Sequence, residues 1–283
     1  MKKYLLLFFF FFSPLFAQDQ VSICAIFENE APYLREWIEY HHLLGVSRFY
    51  LYNNNSTDNY QEVLQPYIET GLVQLTEWPT PFRGDFPHDQ ETAYNDCIAK
   101  VRDKTRWLAI IDIDEFIVPQ KHDTLPDLLA NYENVGGLQI FWQYFGTSGY
   151  IEIPPHQTLV ESLLMKNHRN ARQNHNFKTI IRPDRIQHYA VHTGKYRPTF
   201  YGVFPNGSRG TARDPIQTDI VQINHYWTRD EKYFREKKVP RRERRENAKF
   251  SEERIQAIMR SMNHVEDDCI LRFVPALRVA LGL

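Results

Sequence analysis

Residues 107–118 read WLAIIDIDEFIV, an apolar run that carries Asp112 and Asp114 near its end. We predict one β-strand over this run, and because side chains alternate along a strand, the two aspartates would share the face of Leu108 and Ile110. Both faces are apolar before the acids begin, which is typical of a central strand covered on both sides. Ligands of open α/β sheets bind beyond the carboxyl ends of the strands. The sequence therefore predicts a ligand site where this strand becomes acidic.

The segments around this strand alternate between strands and helices. Such alternation implies right-handed crossovers, so we predict an α/β fold with a mainly parallel central sheet flanked by helices. Beyond residue 146 the pattern is irregular to about residue 210, which is typical of binding loops. The predicted strands are 21–27, 48–52, 72–78 and 137–145. One predicted helix begins after Asn29, others cover 60–70, 91–103 and 124–132, and the last helical region is 252–281.

The N-terminal segment 1–17 is predicted to stand outside the fold. Lys2 and Lys3 precede a short apolar run, and Ala17 offers a small-residue cleavage point. This is the layout of a signal peptide, or of a short N-terminal membrane segment. We therefore expect an exported or membrane-associated protein, in a secretory-pathway lumen such as the Golgi of a eukaryote, or secreted from a bacterium. The rest, 18–283, shows no linker and is predicted to be one domain.

Composition and charge exclude several classes of protein. The 283 residues are 42% hydrophobic and 24% charged, which excludes a disordered or fibrous chain. The formal net charge of -1 argues against nucleic acid as a partner, because phosphate contacts need a basic surplus. Three cysteines, Cys24, Cys97 and Cys269, are too few for a disulfide framework. The basic segment 235–249 is either a solvated helix face or a contact for anions or a membrane surface.

The pair Asp112 and Asp114 has two interpretations. Two carboxylates at one sheet edge repel each other, and a divalent cation such as Mg²⁺ or Mn²⁺ relieves that repulsion. Such a cation can in turn neutralise a diphosphate. In the second interpretation the acids are structural and accept hydrogen bonds from loop amides or from arginine. Because an Asp-x-Asp pair is common, both interpretations stay open on the pair alone.

Further motifs follow one another along nearly the whole chain after residue 18. They include Glu28-Asn29-Glu30, Tyr50 to Asn54, Ser56-Thr57-Asp58, Gln90, Asp112 to Phe116, Phe145 to Gly149, Lys178 and Asn224-His225-Tyr226. Together they resemble glycosyltransferase family 92, and the first half is also similar to family 2-like glycosyltransferases. The resemblance implies a GT-A type nucleotide-binding fold, with a donor half over 18–145 and an acceptor half with C-terminal helices over 146–283.

The resemblance also implies an activity and its partners. The reaction would be inverting transfer of a hexose, galactose being the best-known case, from a nucleotide sugar, with UDP-hexose as the expected donor. The acceptor would be a glycan, glycoprotein or glycolipid. A divalent metal, Mn²⁺ or Mg²⁺, would be held at the Asp-x-Asp motif and would assist departure of the diphosphate.

Individual residues acquire roles through the resemblance. Asp114 would be a metal ligand, Asp112 would contact the metal or the ribose, and His225 is the candidate third contact, to metal or diphosphate. A lone histidine there is equally typical of a core or loop residue. Asn53 stands where the family often has aspartate, which leaves the nucleoside preference open. The donor-binding candidates are Glu30, Asn54, Asp58, Gln90, Asp112 and Lys178, with Lys178 or the basic segment beside the departing diphosphate.

An inverting transfer also needs a general base for the acceptor hydroxyl. Glu152 and Glu161 are the candidates because they follow the Phe-Gly-Thr-Ser-Gly motif, although each is also interpretable as a surface carboxylate. Trp142, Tyr144 and Tyr150 would stack on a sugar or pack in the core. Two other functions stay open: a metal-dependent nucleotidyl or phosphoryl hydrolase, and an exported, non-catalytic carbohydrate-binding protein on a transferase-like scaffold.

Overall fold

The structure, a computed structural model, describes residues 18–80, 86–209 and 215–283. The predicted signal segment 1–17 lies outside the described residues. Across those three ranges, no helix is both long enough and apolar enough to cross a membrane.

Nine strands of the described chain form one sheet, and four short strands form two separate pairs. The sheet order is β3-β2-β1-β4-β8-β6-β12-β5, with β11 beside β6, while β10 pairs with β9 and β13 with β7. In chain order the strands are β1 (Asp19–Phe27), β2 (Arg48–Asn53), β3 (Val73–Glu77), β4 (Thr105–Ile110), β5 (Glu115–Pro119), β6 (Gly137–Tyr144), β7 (Met165–Lys166), β8 (Phe177–Ile181), β9 (Ile186–Tyr189), β10 (Gly194–Tyr196), β11 (Gly202–Val203), β12 (Val221–His225) and β13 (Val265–Glu266).

Most neighbouring strands of the central sheet are parallel. Strand β1 is parallel to β2 and β4, β2 is parallel to β3, and β6 is parallel to β11 and β12. Two strands run in the opposite direction: β8 between β4 and β6, and β5 beside β12. The predicted α/β fold with a mainly parallel central sheet is confirmed.

Helices cover both faces of the sheet, as the alternation of strands and helices predicted. Side chains of β1 alternate between two apolar clusters: Ile23 packs with the residues of α1, and Cys24 packs with those of α3. The helices are α1 (Ala31–Leu43), α2 (Tyr60–Glu69), α3 (Phe86–Val101), α4 (Leu125–Leu129), α5 (Leu159–Ser162), α6 (Glu231–Tyr233), α7 (Val239–Glu246), α8 (Glu252–Ser261) and α9 (Val274–Leu281).

The predicted single strand over 107–118 is wrong, because the run forms two strands joined by a turn. Strand β4 ends at Ile110, and β5 begins at Glu115 and pairs antiparallel with β12. The N–H of Glu115 donates to the carbonyl of Asp112, 3.1 Å away, and the Glu115 carboxylate accepts the N–H of Asp112 at 3.0 Å. The aspartates therefore lie in a turn and do not share a strand face with Leu108 and Ile110.

Helix α1 holds this turn in place from behind. Trp37 and Tyr40 are fully buried, and their polar atoms donate to the carbonyls of Glu115 and Ile117, at 2.9 and 3.0 Å. A buried Trp or Tyr is stable when its polar atom has such a partner. The position of β5 is thus fixed through the side chains of α1 as well as through its pairing with β12.

The C-terminal region differs in detail from the predicted helical region 252–281. Helices α8 and α9 are separated by β13 and by a 3₁₀ turn, Cys269–Phe273. Helix α9 packs against α1, while α8 contributes Ile255 and Met259 to a separate apolar cluster with Phe234 and Val239. That cluster supports residues 226–246, which we name the covering segment. The covering segment includes α6, α7 and the π turn between them. Packing of the C-terminal helices on the domain is confirmed.

Candidate functional site

The candidate site forms where the turn after β4 meets the end of β12. The carbonyl of Asp114 accepts the N–H of Tyr226 at 2.8 Å, which joins the turn to the residue that follows β12. Across the β5–β12 pair, Glu115 stands directly opposite His225, so their side chains project to the same face. Backbone pairing therefore brings together groups more than a hundred residues apart in sequence.

Asp114, Glu115 and His225 form a buried cluster suited to a divalent cation. One ligand atom from each residue lies within 4.8 Å of the other two. Within the described chain, Oε1 of Glu115 and Nδ1 of His225 are buried without a hydrogen-bond partner. Buried polar atoms normally have a partner, so these two are open to a ligand. Two carboxylates and one imidazole suit an ion such as Mn²⁺.

Asp114 already faces a cation of the chain itself. Its Oδ2 accepts a hydrogen bond from Nζ of Lys238 at 2.7 Å, and its Oδ1 lies 3.4 Å from Nε2 of His225. Burial alone would raise the pKa of Asp114, but the Lys238 ammonium and the His225 ring hold it well below its usual range. Asp114 is therefore ionised at neutral pH.

Asp112 has a different environment from Asp114. Its Oδ2 accepts from Nζ of Lys178 at 3.0 Å, and its Oδ1 accepts from the hydroxyl of Tyr94 at 3.2 Å. Lys178 is almost fully buried and also lies 3.8 Å from Glu115. Burial would lower the pKa of Lys178, yet the carboxylates of Asp112 and Glu115 raise it above its usual value. Burial and the neighbouring aspartates raise the pKa of Glu115, against the effect of Lys178.

Aromatic rings form one wall of the cluster. Trp142 and Tyr144 lie against His225 with ring centroids 4.6 and 4.5 Å apart, so both contact the site. His192 stands edge-on to Trp142 at 5.2 Å, and burial together with Lys178 lowers the pKa of His192 to about 4. A neutral imidazole beside a cation suits a hydrogen-bonding role at pH 7.

Glu30 closes another side of the site through an arginine of the covering segment. Arg229 is fully buried and its Nη2 lies 2.5 Å from Oε2 of Glu30. Its guanidinium stacks on Tyr33 and Tyr233, 3.4 and 4.4 Å from the ring centroids. Burial raises the pKa of Glu30 even though Arg229 acts in the opposite direction. Arg229 thus fastens the covering segment to the loop after β1.

Of three other predicted donor contacts, Asn54 and Asp58 lie in the loop that follows β2, and Gln90 lies in a helix. Asn54 donates to the carbonyl of Trp78 at 3.0 Å and to the hydroxyl of Thr80 at 2.7 Å. Asp58 accepts the N–H of Ala31 at 2.8 Å, which satisfies a free donor at the start of α1. Gln90 lies in α3 and donates to the hydroxyl of Tyr94 at 3.4 Å, which links it to Asp112.

The two candidate bases differ sharply in environment. Glu161 forms a capping box with Thr158 at the start of α5 and pairs with Arg278 at 2.7 Å. Glu152 is 62% exposed and pairs with Lys232 of the covering segment at 2.9 Å. The carboxylate of Glu161 therefore serves the fold, whereas Glu152 is reachable from solvent.

Sequence reasoning assigned no individual role to four residues of the site: Glu115, His192, Arg229 and Lys238. The signal for Glu115 was present, since it follows the Asp-x-Asp motif directly. Lys238 lay inside the predicted basic segment 235–249, but its charge alone did not separate it from its neighbours. Nothing in the local sequence marks Arg229, which adopts a left-handed φ of 52°.

The comparisons with known proteins agree with these motifs. Residues 19–265 match glycosyltransferase family 92. A family 92 protein of Oryza sativa subsp. japonica is 35% identical over 137 residues, which are 47% of this chain and 23% of that protein. A galactan β-1,4-galactosyltransferase of Arabidopsis thaliana is 32% identical over 114 residues, 38% of this chain and 23% of that protein.

Both matches span about a quarter of the relative's own length. Among solved structures, S. aureus TarS aligns over 58% of this chain and 47% of its own, at 14% identity and a TM-score of 0.36. The family match itself extends over most of the chain, from β1 through the acid–histidine cluster and the covering segment to β13. On that match, this chain belongs to glycosyltransferase family 92.

Proposed function

We propose that this protein is a metal-dependent glycosyltransferase that transfers a hexose from a nucleotide sugar to a glycan or glycoconjugate acceptor with inversion. One observation carries the proposal: Asp114, Glu115 and His225 converge at the sheet edge within 4.8 Å, with buried ligand atoms left open. Family membership supplies the class of reaction. The site is also rich in cations, since Lys178, Arg229 and Lys238 surround the acids.

Asp114, Glu115 and His225 would hold Mn²⁺, or Mg²⁺, in this proposal. When bound, such an ion neutralises the negative charge of the diphosphate as it departs. Lys178, which pairs with Asp112, would stabilise the negative charge of the diphosphate as well, because a buried ammonium is a fixed positive charge in a low-dielectric site. Trp142 and Tyr144 offer apolar ring surface next to these ligands, which suits the face of a sugar.

The transfer itself exchanges one bond for another at the sugar. The acceptor hydroxyl oxygen attacks the anomeric carbon, the bond from that carbon to the diphosphate oxygen breaks, and the hydroxyl proton passes to a base. Glu152 is the better base candidate of the two predicted, since Glu161 is occupied by the capping box and Arg278. The proposed sugar is galactose, because the Arabidopsis relative is named a galactosyltransferase, and the proposed donor is the UDP sugar.

The basic segment 235–249 and the N-terminal segment support two further proposals on location. Segment 1–17 would direct export or membrane association. Arg244 and Arg245 of α7 are exposed and would contact an anionic membrane surface near the acceptor.

Calorimetric titration of the full chain tests the proposed donor site. Wild type should bind UDP and UDP-galactose only when Mn²⁺ is present, and Asp114→Asn should lose that binding while keeping its thermal unfolding transition. Asp123→Asn is the matched control, since Asp123 is 90% exposed and lies outside the cluster. Metal-independent binding, or unchanged binding by a folded Asp114→Asn, refutes the assignment. Donor binding without transfer to any of a panel of glycans would favour the non-catalytic carbohydrate-binding alternative.

A further inference from the structure

We propose that Lys238 is a donor-binding residue that exchanges partners: it pairs with Asp114 in the metal-free protein and with the donor diphosphate once a divalent cation occupies the cluster. This inference rests on the proposed function, since it requires a metal and a nucleotide at this site. It assigns a role to one lysine of a segment whose other basic residues face solvent or pair with glutamates.

The pair between Lys238 and Asp114 lies in a nearly dry place. The Lys238 side chain is 12% exposed and that of Asp114 is 9% exposed, and the two charged atoms are 2.7 Å apart. Trp227 and Tyr233 lie beside the ammonium, with ring centroids 5.9 and 5.8 Å from Nζ. Because little water reaches this pair, water cannot replace the carboxylate as the partner of the ammonium. If the ammonium leaves Asp114, it therefore needs another anion.

The backbone places this one lysine at the site by an irregular turn. Residues Phe234–Lys238 form a π turn, and the α7 helix begins directly after it at Val239. A π turn adds a residue to the helical repeat and is frequent at functional sites. Without the extra residue, a different side chain would face Asp114. Phe234 and Val239 are buried in the apolar cluster with α8, so the turn is fixed on both sides.

The formal charges at the site favour an exchange of partners by Lys238 over a simple competition between Lys238 and the divalent cation for Asp114. Glu30, Asp112, Asp114 and Glu115 face the cations Lys178, Arg229 and Lys238, which leaves one formal negative charge in excess. A divalent cation alone would turn this into an excess of one positive charge. A divalent cation together with a doubly negative nucleotide sugar restores the original balance, provided that Lys238 stays in the site.

Lys238 is the cation best able to change partner. Lys178 is fixed between two carboxylates on a central strand, and Arg229 is fully buried between two aromatic rings. Lys238 has one carboxylate partner in the described chain, and that carboxylate is a predicted metal ligand. An ammonium and a divalent cation repel each other strongly at contact distance in a site of low dielectric. Lys238 therefore leaves Asp114 when the cluster is filled, and the diphosphate is the anion that arrives beside it.

The test compares Lys238→Met with Lys237→Met in the full chain. Lys237 is the exposed neighbour on the same turn and serves as the matched control. Mn²⁺ affinity is measured first without nucleotide, by electron paramagnetic resonance, and UDP affinity is then measured by calorimetry at saturating Mn²⁺. Lys238→Met should bind Mn²⁺ roughly tenfold more tightly and UDP roughly tenfold more weakly than wild type, and Lys237→Met should match wild type in both. Should Lys238→Met fail to fold, Lys238→Gln gives the same test.

Because the exchange predicts tighter Mn²⁺ binding and weaker UDP binding, the two affinities together distinguish it from other roles of Lys238. Weakening of both affinities indicates a structural role for Lys238 and overturns the inference. Tighter Mn²⁺ binding with unchanged UDP affinity overturns it as well, because Lys238 would then compete with the metal without binding the donor. Equal behaviour of the two variants refutes the exchange while the proposed donor site stands. Failure of wild type to bind Mn²⁺ and UDP refutes the site and the exchange together.

Discussion

The Glu36→Gln variant should be less stable than wild type at acid pH, and it should be as stable as wild type or more stable at higher pH. Glu36 lies in α1, and its carboxylate accepts the N–H groups of Leu159 and Val160, at 2.9 and 3.0 Å, at the start of α5. It thereby joins the first half of the chain to the second. Burial, opposed by these two hydrogen bonds, raises the pKa of Glu36 from 4.5 to about 7. The nearby carboxylate of Glu161 acts in the same direction as burial.

The sign follows from the two states of the carboxyl group. Below pH 4.5 it is protonated in both the folded and the unfolded chain and contributes nothing that depends on pH. As pH rises toward 7 the unfolded chain ionises first, so the folded state loses stability until the folded pKa is passed. The full shift corresponds to about 3 kcal/mol, and because part of the side chain meets solvent we expect about 2 kcal/mol.

Glutamine does not titrate, so this dependence of stability on pH disappears. Its amide also has one acceptor oxygen where the carboxylate has two. At pH 5 we expect Glu36→Gln to unfold about 1 kcal/mol more easily than wild type, because one of the two N–H groups loses its partner. Between pH 5 and pH 8 wild type should lose about 1.5 kcal/mol relative to the variant, which makes the variant the equal or better of the two at pH 8.

Urea denaturation at pH 5, 6, 7 and 8, followed by circular dichroism, measures these differences. Glu62→Gln is the control, because Glu62 is exposed in the first turn of α2 and contacts neither α5 nor the site. Its stability should follow wild type at each pH. Parallel curves for Glu36→Gln and wild type would show that Glu36 ionises normally in the folded protein and would refute the reasoning.

Three further tests concern single contacts and use chemical denaturation beside wild type. Asp58→Ala removes the acceptor for the first N–H of α1 and should lower the free energy of unfolding by about 1 kcal/mol. Glu161→Ala removes a capping box and the pair with Arg278 and should cost about 1 kcal/mol, whereas Glu152→Ala should stay within the error of measurement; equal losses would contradict this. Lys178→Met leaves the buried carboxylate of Glu115 and the partly buried carboxylate of Asp112 without their cation and should cost about 3 kcal/mol, so wild-type stability would exclude that pairing.

The elements up to β4 could be predicted because each carries its own signals. Strands β1 and β2 are short apolar runs, and Gly45 and Gly71, both with positive φ, follow the ends of α1 and α2. The alternation of such runs with helical segments is sufficient to predict the class of the sheet. The observed bounds differ from the predicted ones by one residue at each end of β3, and by five at the start of α3.

The break in the run 107–118 could not be predicted, because its cause is distant in sequence. An apolar run with two aspartates has the same local pattern whether it continues straight or turns after Ile110. The turn is favoured because β5 pairs with β12 and accepts hydrogen bonds from Trp37 and Tyr40, none of which is visible locally. The cluster of Asp114, Glu115 and His225 has the same origin, since register places Glu115 opposite His225.

The two aspartates of the motif serve different purposes, and their partners show why. Asp112 pairs with Lys178, which stands in the middle of the sheet with carboxylates on two sides and is 1% exposed. Asp114 pairs with Lys238, which stands at the end of a π turn on a segment laid over the sheet edge. An ion pair inside a sheet is costly to break, whereas one between a sheet edge and a covering segment can be exchanged without unfolding the core. Loss of Lys178 should therefore reduce stability, and loss of Lys238 should change what the site binds.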